Sequence, residues 1–453
     1  MQLPDSLLLS LQNESSFHKN EFLVAHEQPA PVSIRLNPFK VINPPAEATP
    51  IPWSEYGYYL PERPVFTLDP LFHAGTYYVQ EASSMFLEAF FKQVAPEGPL
   101  RVLDLCAAPG GKSTLLSSLL DEDSLLVSNE VIRPRSGVLA DNMTKWGRIN
   151  SFVTNNDPRD FQRIPGFFDV LVIDAPCSGS GLFRKDSDAI EEWSEENVAL
   201  CSQRQQRILA DAWPCLKEGG VLIYSTCSYS RSENEDILDW FSESFGCTSL
   251  NFTDLPAGIV EVCTEEKNYG YRFWPDQIQG EGFFIAAFQK TEDQDEVQFR
   301  MNYAGKGKTR KQESAIFSDW VDHIQSYEWV EKNDDFFLLN PDHRVDFEII
   351  SQQLYLRKAG IRLGKLAGKD LIPDHELALS TLVSEKSVPR LELNRENALR
   401  YLKREDFEYK TSKKGWHLVT HQGHSLGWVK VLPNRVNNYL PKDWRILMDI
   451  REN

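Results

Sequence analysis

Several absences narrow this 453-residue chain before any motif is considered. No apolar run approaches the roughly 20 residues needed to cross a bilayer, so a membrane role is not expected. The first ten residues carry Asp5 and no Lys or Arg, and so lack the basic start of a secretory signal. Seven cysteines never stand closer than twelve positions apart, so there is no Cys-x-x-Cys. Neither a zinc ligand pair nor a dithiol redox motif is expected, and no metal. An odd cysteine count without a signal fits a reducing, cytoplasmic setting in which thiols are free for chemistry. Internal repeats and low-complexity tracts are missing too. Ordinary aliphatic and aromatic content excludes wholesale disorder, and the length suggests two to four domains.

Basic charge is also scarce. With 48 Lys+Arg against 66 Asp+Glu the net charge is −18, which at first argues against a polyanionic partner. The average hides an asymmetry. From Ser351 onward there are 19 basic and 12 acidic residues, a balance of +7, which leaves −25 for the rest. Residues 351–369 hold Arg357, Lys358, Arg362, Lys365 and Lys369 with no acid, and 411–438 hold Lys413, Lys414, Lys430 and Arg435 with none. A basic stretch is usually a solvated face; two acid-free stretches make a polyanion-binding tail an equal contender.

What is present is an alternation of short apolar runs with helical stretches, the pattern of a doubly wound α/β sheet. Strands are expected at 102–106, 125–129, 152–154, 170–173, 221–225 and 282–288, with helices at 112–120, 133–146 and 194–216. Ser232-Glu-Asn-Glu235 reads as a capping box for a helix ending near Phe245. Residues 1–75 form a small α+β appendage, 76–290 the main α/β domain and 291–315 a charged linker. An intermediate domain then covers 316–385, and 386–453 contains a hairpin over 415–431. Gln80, Glu81 and Ser83, ahead of a helix through Phe91, read as capping groups.

Two strands end in chemistry. The run Val170–Ile173 stops at Asp174-Ala-Pro-Cys177, and about fifty residues later Tyr224-Ser-Thr-Cys227 ends a second strand in the same way. Strand carboxyl ends hold the ligands of open α/β sheets. A first loop, Cys106-Ala107-Ala108-Pro109-Gly110-Gly111-Lys112, joins a strand to a helix. Its small residues let backbone N–H groups approach a ligand at the helix start. It is not a P-loop, because the Gly required five positions before Gly111 is Cys106. Glu130, at the end of the second strand, is placed for ribose hydroxyls, and Asp157, past the third, for an adenine amino group.

Together, Leu103-Asp-Leu-Cys-Ala-Ala-Pro-Gly-Gly-Lys-Ser, Asp174-Ala-Pro-Cys-Ser-Gly and Ser225-Thr-Cys-Ser resemble the Nop/Sun family of RNA cytosine-5 methyltransferases, bacterial branch. Supporting stretches are Asn129-Glu with Arg135 to Asn142, Phe183-Arg-Lys-Asp186, Ser232-Glu-Asn-Glu235 and Gly280-Glu-Gly-Phe-Phe-Ile-Ala286. The likeness spans about 30–290. Trp416-His-Leu-Val-Thr, Gly427-Trp and Asn434-Arg-Val-Asn-Asn-Tyr439 resemble the PUA-like end of the branch acting on small-subunit ribosomal RNA. One departure is Pro275-Asp276, where that family carries Pro-His.

The resemblance implies a Rossmann-like sheet, S-adenosylmethionine held by residues 106–112, Glu130, Arg135, Asp157 and Asp174, and methylation of cytosine C5, most simply in 16S ribosomal RNA. It assigns nucleophilic attack on C6 to Cys227 and release to Cys177, with Asp174 near N3. The opposite cysteine assignment leaves Cys227 unexplained. Lys112 and Lys185 are candidates for favouring a thiolate. Lys413, Lys414, Lys430 and Arg435 would contact RNA, residues 1–75 would help bind it, and the chain would act as a monomer. Alternatives are a transfer RNA substrate, or a non-catalytic ribosome-assembly factor on the same fold.

Overall fold

The computed structural model describes residues 3–293, 310–384 and 386–449. Its organising element is a ten-stranded sheet whose strands we number β1 Arg101–Asp104, β2 Leu125–Asn129, β3 Ser151–Thr154, β4 Phe168–Asp174, β5 Leu216–Thr226, β6 Cys247–Leu250, β7 Ile259–Cys263, β8 Tyr269–Phe273, β9 Phe283–Lys290 and β10 Leu356–Ala359. The order is β7-β8-β9-β5-β4-β1-β2-β3-β10, with β6 also paired to β9. Strands β1 to β5 are parallel, and β9 returns antiparallel to β5. Helices cover both faces of the parallel strands, which is why β2 is buried throughout and opens on the apolar run Leu125-Leu-Val127. The sequence places β2 and the helix Arg133–Trp146 at their observed bounds. It starts β5 late, because Lys217-Glu-Gly-Gly220 looks like a turn but already belongs to the strand.

The N-terminal part carries helices Asp5–Leu11 and Lys19–Glu27 and a four-stranded antiparallel sheet. Arg35 fastens it to the main domain. Its guanidinium is buried, donates to Gln80 Oε1 (2.9 Å) and Thr114 Oγ1 (2.6 Å), and stacks 4.6 Å over the Trp146 ring. Gln80 is thus an acceptor for Arg35, while Glu81 caps Ser83 and Ser84 as expected and also accepts from Glu281 N.

Most of the expected linker lies outside the described residues, and Arg310–Phe317 is helical. The following segment builds an antiparallel sheet from Glu328–Lys332, Asp335–Leu339, Ile361–Ala367 and Asp370–Pro373. From it, β10 crosses back to pair with β3 and covers what would be an open edge of the main sheet. The tail pairs Arg390–Glu392 with a hairpin, Gly415–His421 and His424–Val431. Trp428 and Leu418 from that hairpin pack with Phe317, Leu363 and Leu377 of the intermediate segment. Tyr401 and Leu399 pack with Leu68 and Ala74 of the N-terminal part.

Two expectations are corrected here. The stretch 351–369 is acid-free in sequence but not in space: Lys358 pairs with Glu376, Arg362 with Asp335 and Asp374, and Lys365 with Asp335. Arg357 and Lys369 stay exposed, so acids from elsewhere answer only part of the stretch. The capping box is also absent. The helix Glu235–Ser244 starts after Asn234, without a side-chain cap, because both glutamates are committed elsewhere. Glu235 makes a bidentate pair with Arg272 of β8, both partners being buried. Leaving one buried charge without the other costs about 3–5 kcal/mol, whereas an apolar pair of similar volume is close to neutral. Glu235→Ala should therefore lower stability to urea by about that amount, and Glu235→Leu combined with Arg272→Met should recover most of it.

Candidate active site

The ends of β1 to β5 line up to form the site. Asp104 ends β1, fully buried. Its Oδ2 accepts from Ser113 Oγ (2.6 Å) and its Oδ1 has no protein partner. Burial pushes its pKa up to about 7, with Ser113 and Lys112 opposing and Asp174 and Glu130 adding to the rise. The 105–110 loop then turns into the helix Gly111–Leu119 through Gly110, at φ 118°. Arg135 donates to Ala108 O and Asn142 to Pro109 O, both at 2.8 Å, so the neighbouring helix holds the loop from behind.

Glu130, buried at the end of β2, accepts from Ile132 N (2.8 Å) and faces the Arg135 guanidinium at 3.6 Å. Asp157 caps the short helical turn Pro158–Arg163 through Arg159 N. Asn129, not singled out in the sequence, knits three strand ends together. It donates to Leu105 O and Asn156 O, and accepts from Thr154 Oγ1. These acids and the loop line one side of β1. Cys106 lies there too, but burial pushes its thiol far above the ordinary range, so it is no candidate nucleophile.

Across β4 lies the cysteine pair. Cys177 Sγ and Cys227 Sγ are 2.9 Å apart. The two loops can approach because Gly181 has no side chain: a Cβ there would sit 2.6 Å from Cys227 O and 2.5 Å from Gly282 O. Asp174 is held between Lys112 Nζ (2.8 Å) and Ser225 Oγ (2.9 Å). Lys112 therefore reaches the cysteine side from a helix that begins in the first loop; Lys185 is exposed at the surface. The Cys177 thiol is pushed well up, first by its hydrogen bond to Cys227, then by burial and by the charges of Cys227 and Glu233. Either sulfur can donate in this contact, and these causes disfavour a thiolate on Cys177.

Asp276, at the Pro-Asp departure, faces His18 Nδ1 at 3.7 Å, so an imidazole reaches that spot from the N-terminal part. In the tail, Lys413, Lys414 and Arg435 are exposed, and Lys430 lies half-buried with its ammonium 5.1 Å over Trp416. Among the described residues no group of three or more His, Cys, Asp or Glu is arranged to hold a metal ion, and no helix is long and apolar enough to cross a membrane.

This sheet order, with its chemistry at the strand carboxyl ends, defines a Rossmann-like α/β enzyme fold, and the relatives of the chain give its class, an RNA methyltransferase. A family model for the 16S rRNA methyltransferase RsmB/F matches residues 92–289, one for the N-terminal domain of 16S rRNA methyltransferase RsmF matches 3–82, and one for the methyltransferase RsmF PUA domain matches 388–446. The ribosomal RNA small subunit methyltransferase F of Shewanella oneidensis is 31% identical over 98% of this chain and 97% of its own length. That of Aeromonas salmonicida is 32% identical over 97% of each. The chain belongs to the ribosomal RNA small subunit methyltransferase F family. Among solved structures, a methyltransferase homolog from Pyrococcus horikoshii superposes with a TM-score of 0.52 at 28% identity, covering 64% of this chain and all of its own. The NSun6 of Pyrococcus horikoshii with SFG, at 18% identity and a TM-score of 0.54 over 64% of this chain and 99% of its own, shares the fold.

The raised Asp104 carboxyl makes a testable mark on the free protein. A carboxyl raised by folding contributes stability below its unfolded pKa, near 4, and loses it as pH rises through the folded value, about 7. Urea unfolding should show stability declining between pH 4 and 7, and Asp104→Asn should remove that decline.

Proposed function

We propose that this protein methylates C5 of a cytosine in 16S ribosomal RNA, through a transient covalent bond between Cys227 and C6 of the base. The observation that carries the reading is the 2.9 Å contact between the two strand-end sulfurs. C5 of cytosine is a poor nucleophile until a thiolate adds at C6 and turns the ring into an enamine. The Cys227 electron pair forms the S–C6 bond, and charge moves into the ring toward N3 and O2. Lys112 and Asp174, held 2.8 Å apart beside the pair, offer an ammonium to that charge and a carboxylate to the exocyclic amine.

S-adenosylmethionine, when bound, supplies the electrophilic methyl group. The residues fit it. Glu130 would take the ribose hydroxyls and residues 106–112 would hold the methionine part. Asp104 Oδ1, buried without a partner, suits an ammonium. Asp157 stands on the adenine side, and Arg135 braces both Glu130 and the loop. A solvent base takes the C5 proton, its C–H electron pair re-forms the C5–C6 double bond, and the S–C6 pair returns to Cys227, which Cys177 meets directly. The target base must leave its stack to reach this cleft. The RNA itself is held in part by the exposed Lys413, Lys414 and Arg435, with Lys430 beside them.

Two measurements test this. Cys227→Ala should be inactive and form no adduct. Cys177→Ala should attack and methylate but stall, giving a slow band with 16S RNA on a denaturing gel that RNase removes. An adduct from Cys227→Ala would reverse the assignment. Separately, Glu130→Ala should weaken S-adenosylmethionine binding by calorimetry about tenfold to a hundredfold, the cost of a charge-assisted hydrogen bond of roughly 1.5–3 kcal/mol. Wild-type affinity would remove Glu130 from the cofactor site.

A further inference from the structure

Behind the two sulfurs lies a carboxylate that the mechanism has not used. Glu233 is fully buried, in the short turn Arg231–Glu233 after β5. Its Oε1 accepts from Ser178 N (2.8 Å) and Gln205 Nε2 (3.1 Å); its Oε2 accepts from Ser178 Oγ and Ser228 Oγ, both at 2.5 Å. Ser178 follows Cys177, and Ser228 follows Cys227. Gln205 also donates to Pro176 O (3.1 Å), so the chain is held on both sides of Cys177. The turn is itself fixed, since Tyr224 Oη donates to Glu233 O and Asn234 joins Thr226 Oγ1 to Ser228 O. Among the described residues no cation pairs with this carboxylate; four hydrogen bonds take the place of water.

Building on the two-cysteine reading, we propose that Glu233 is the positioning residue of the pair. One buried carboxylate ties the residue after each cysteine to a single point, sets the separation of the sulfurs, and stands with its charge behind Cys177. Both effects follow from the geometry. Releasing either serine would let its loop drift, and sulfur contact is lost within an ångström or so. A negative charge behind Cys177 adds to what the hydrogen bond to Cys227 and burial already do against a thiolate there. The other charged or titratable groups facing the pair are Lys112, Asp174, Tyr224 and Cys201. Of these only Lys112 is a cation, and its charge interacts with Cys227.

Glu233→Gln separates charge from tether. The amide keeps one acceptor for Ser178 N and Gln205, and its NH2 group can donate to the two hydroxyls, which turn to accept. The test is alkylation of the reduced full-length protein by iodoacetamide across pH, read cysteine by cysteine by mass spectrometry. In the wild type Cys227 should react at least tenfold faster than Cys177. In Glu233→Gln the Cys177 to Cys227 ratio should rise about tenfold, one pKa unit of lost discrimination. The pH profile of kcat should shift with it. A ratio within twofold of wild type, with an unchanged kcat profile, would overturn the proposal. If Glu233→Gln does not fold, the double variant Ser178→Ala, Ser228→Ala keeps the charge and removes two tethers. It should lower kcat at least tenfold while KM for RNA and cofactor stays within twofold, and unchanged kcat would overturn the proposal equally. The Cys227→Ala variant keeps the two ideas apart. If it still methylates, the two-cysteine reading fails. If it is dead while Glu233→Gln alkylates like wild type, only the role of Glu233 falls.

Discussion

The pairing of β4 with β5 fixes where everything else in the site must lie. Asp174 stands opposite Ser225 in the parallel ladder, and Ala175 N donates to Ser225 O at 2.8 Å. Three residues beyond Asp174 and two beyond Ser225 the chains reach their cysteines. A slip of one residue in that register would reverse the facing of every side chain on one strand and carry its cysteine away from the other. The apolar faces of both strands, buried on each side, prevent the slip. The sulfur contact is thus specified by core packing more than by anything within the loops.

A second theme is the placement of charge in the interior. Isolated buried charges are expensive, so each must be answered by an opposite charge or by enough hydrogen bonds. Glu235 and Lys358 take the first course, with Arg272 and Glu376. Arg35 takes the second, and with it joins the N-terminal sheet to the helix that starts at the first loop. Beside the tail hairpin, Lys413, Lys414 and Arg435 remain at the surface in a stretch that carries no acid. The acidic average therefore describes most of the molecule and misdescribes this one face.

The same contrast explains what was readable in advance. β2, the helix Arg133–Trp146 and the hairpin are local patterns, and their periodicity survives in one dimension. The strand-end residues Asp174, Cys177, Glu130 and Cys227 were readable because a parallel sheet puts its chemistry at carboxyl ends. Long-range partners were not. Ser232-Glu-Asn-Glu235 satisfies a local capping rule, but tertiary acceptor positions for Glu233 and a buried arginine for Glu235 outweigh a cap worth about 1 kcal/mol. β10 arrives at the edge of β3 from some two hundred residues away, and nothing in its composition announces that destination. Asn129 lay within a motif stretch, yet its three-strand role appears only when the strand ends are seen together.

Lys112 shows how the two halves of the site are made into one. Its backbone belongs to the first turn of the helix that opens behind the 105–110 loop, on the side of β1 where Glu130 and Asp104 stand. Its ammonium crosses to Asp174, passing 5.2 Å from the Phe283 ring, and lies within the field of Cys227. Burial alone would drive that ammonium toward neutrality, but Asp174 more than offsets it, so the group stays charged in a nearly dry place. Movement of the first loop around a ligand must then be felt at Asp174 through a side chain with little freedom of its own. The loop side and the cysteine side of the site are, in this arrangement, joined through one residue.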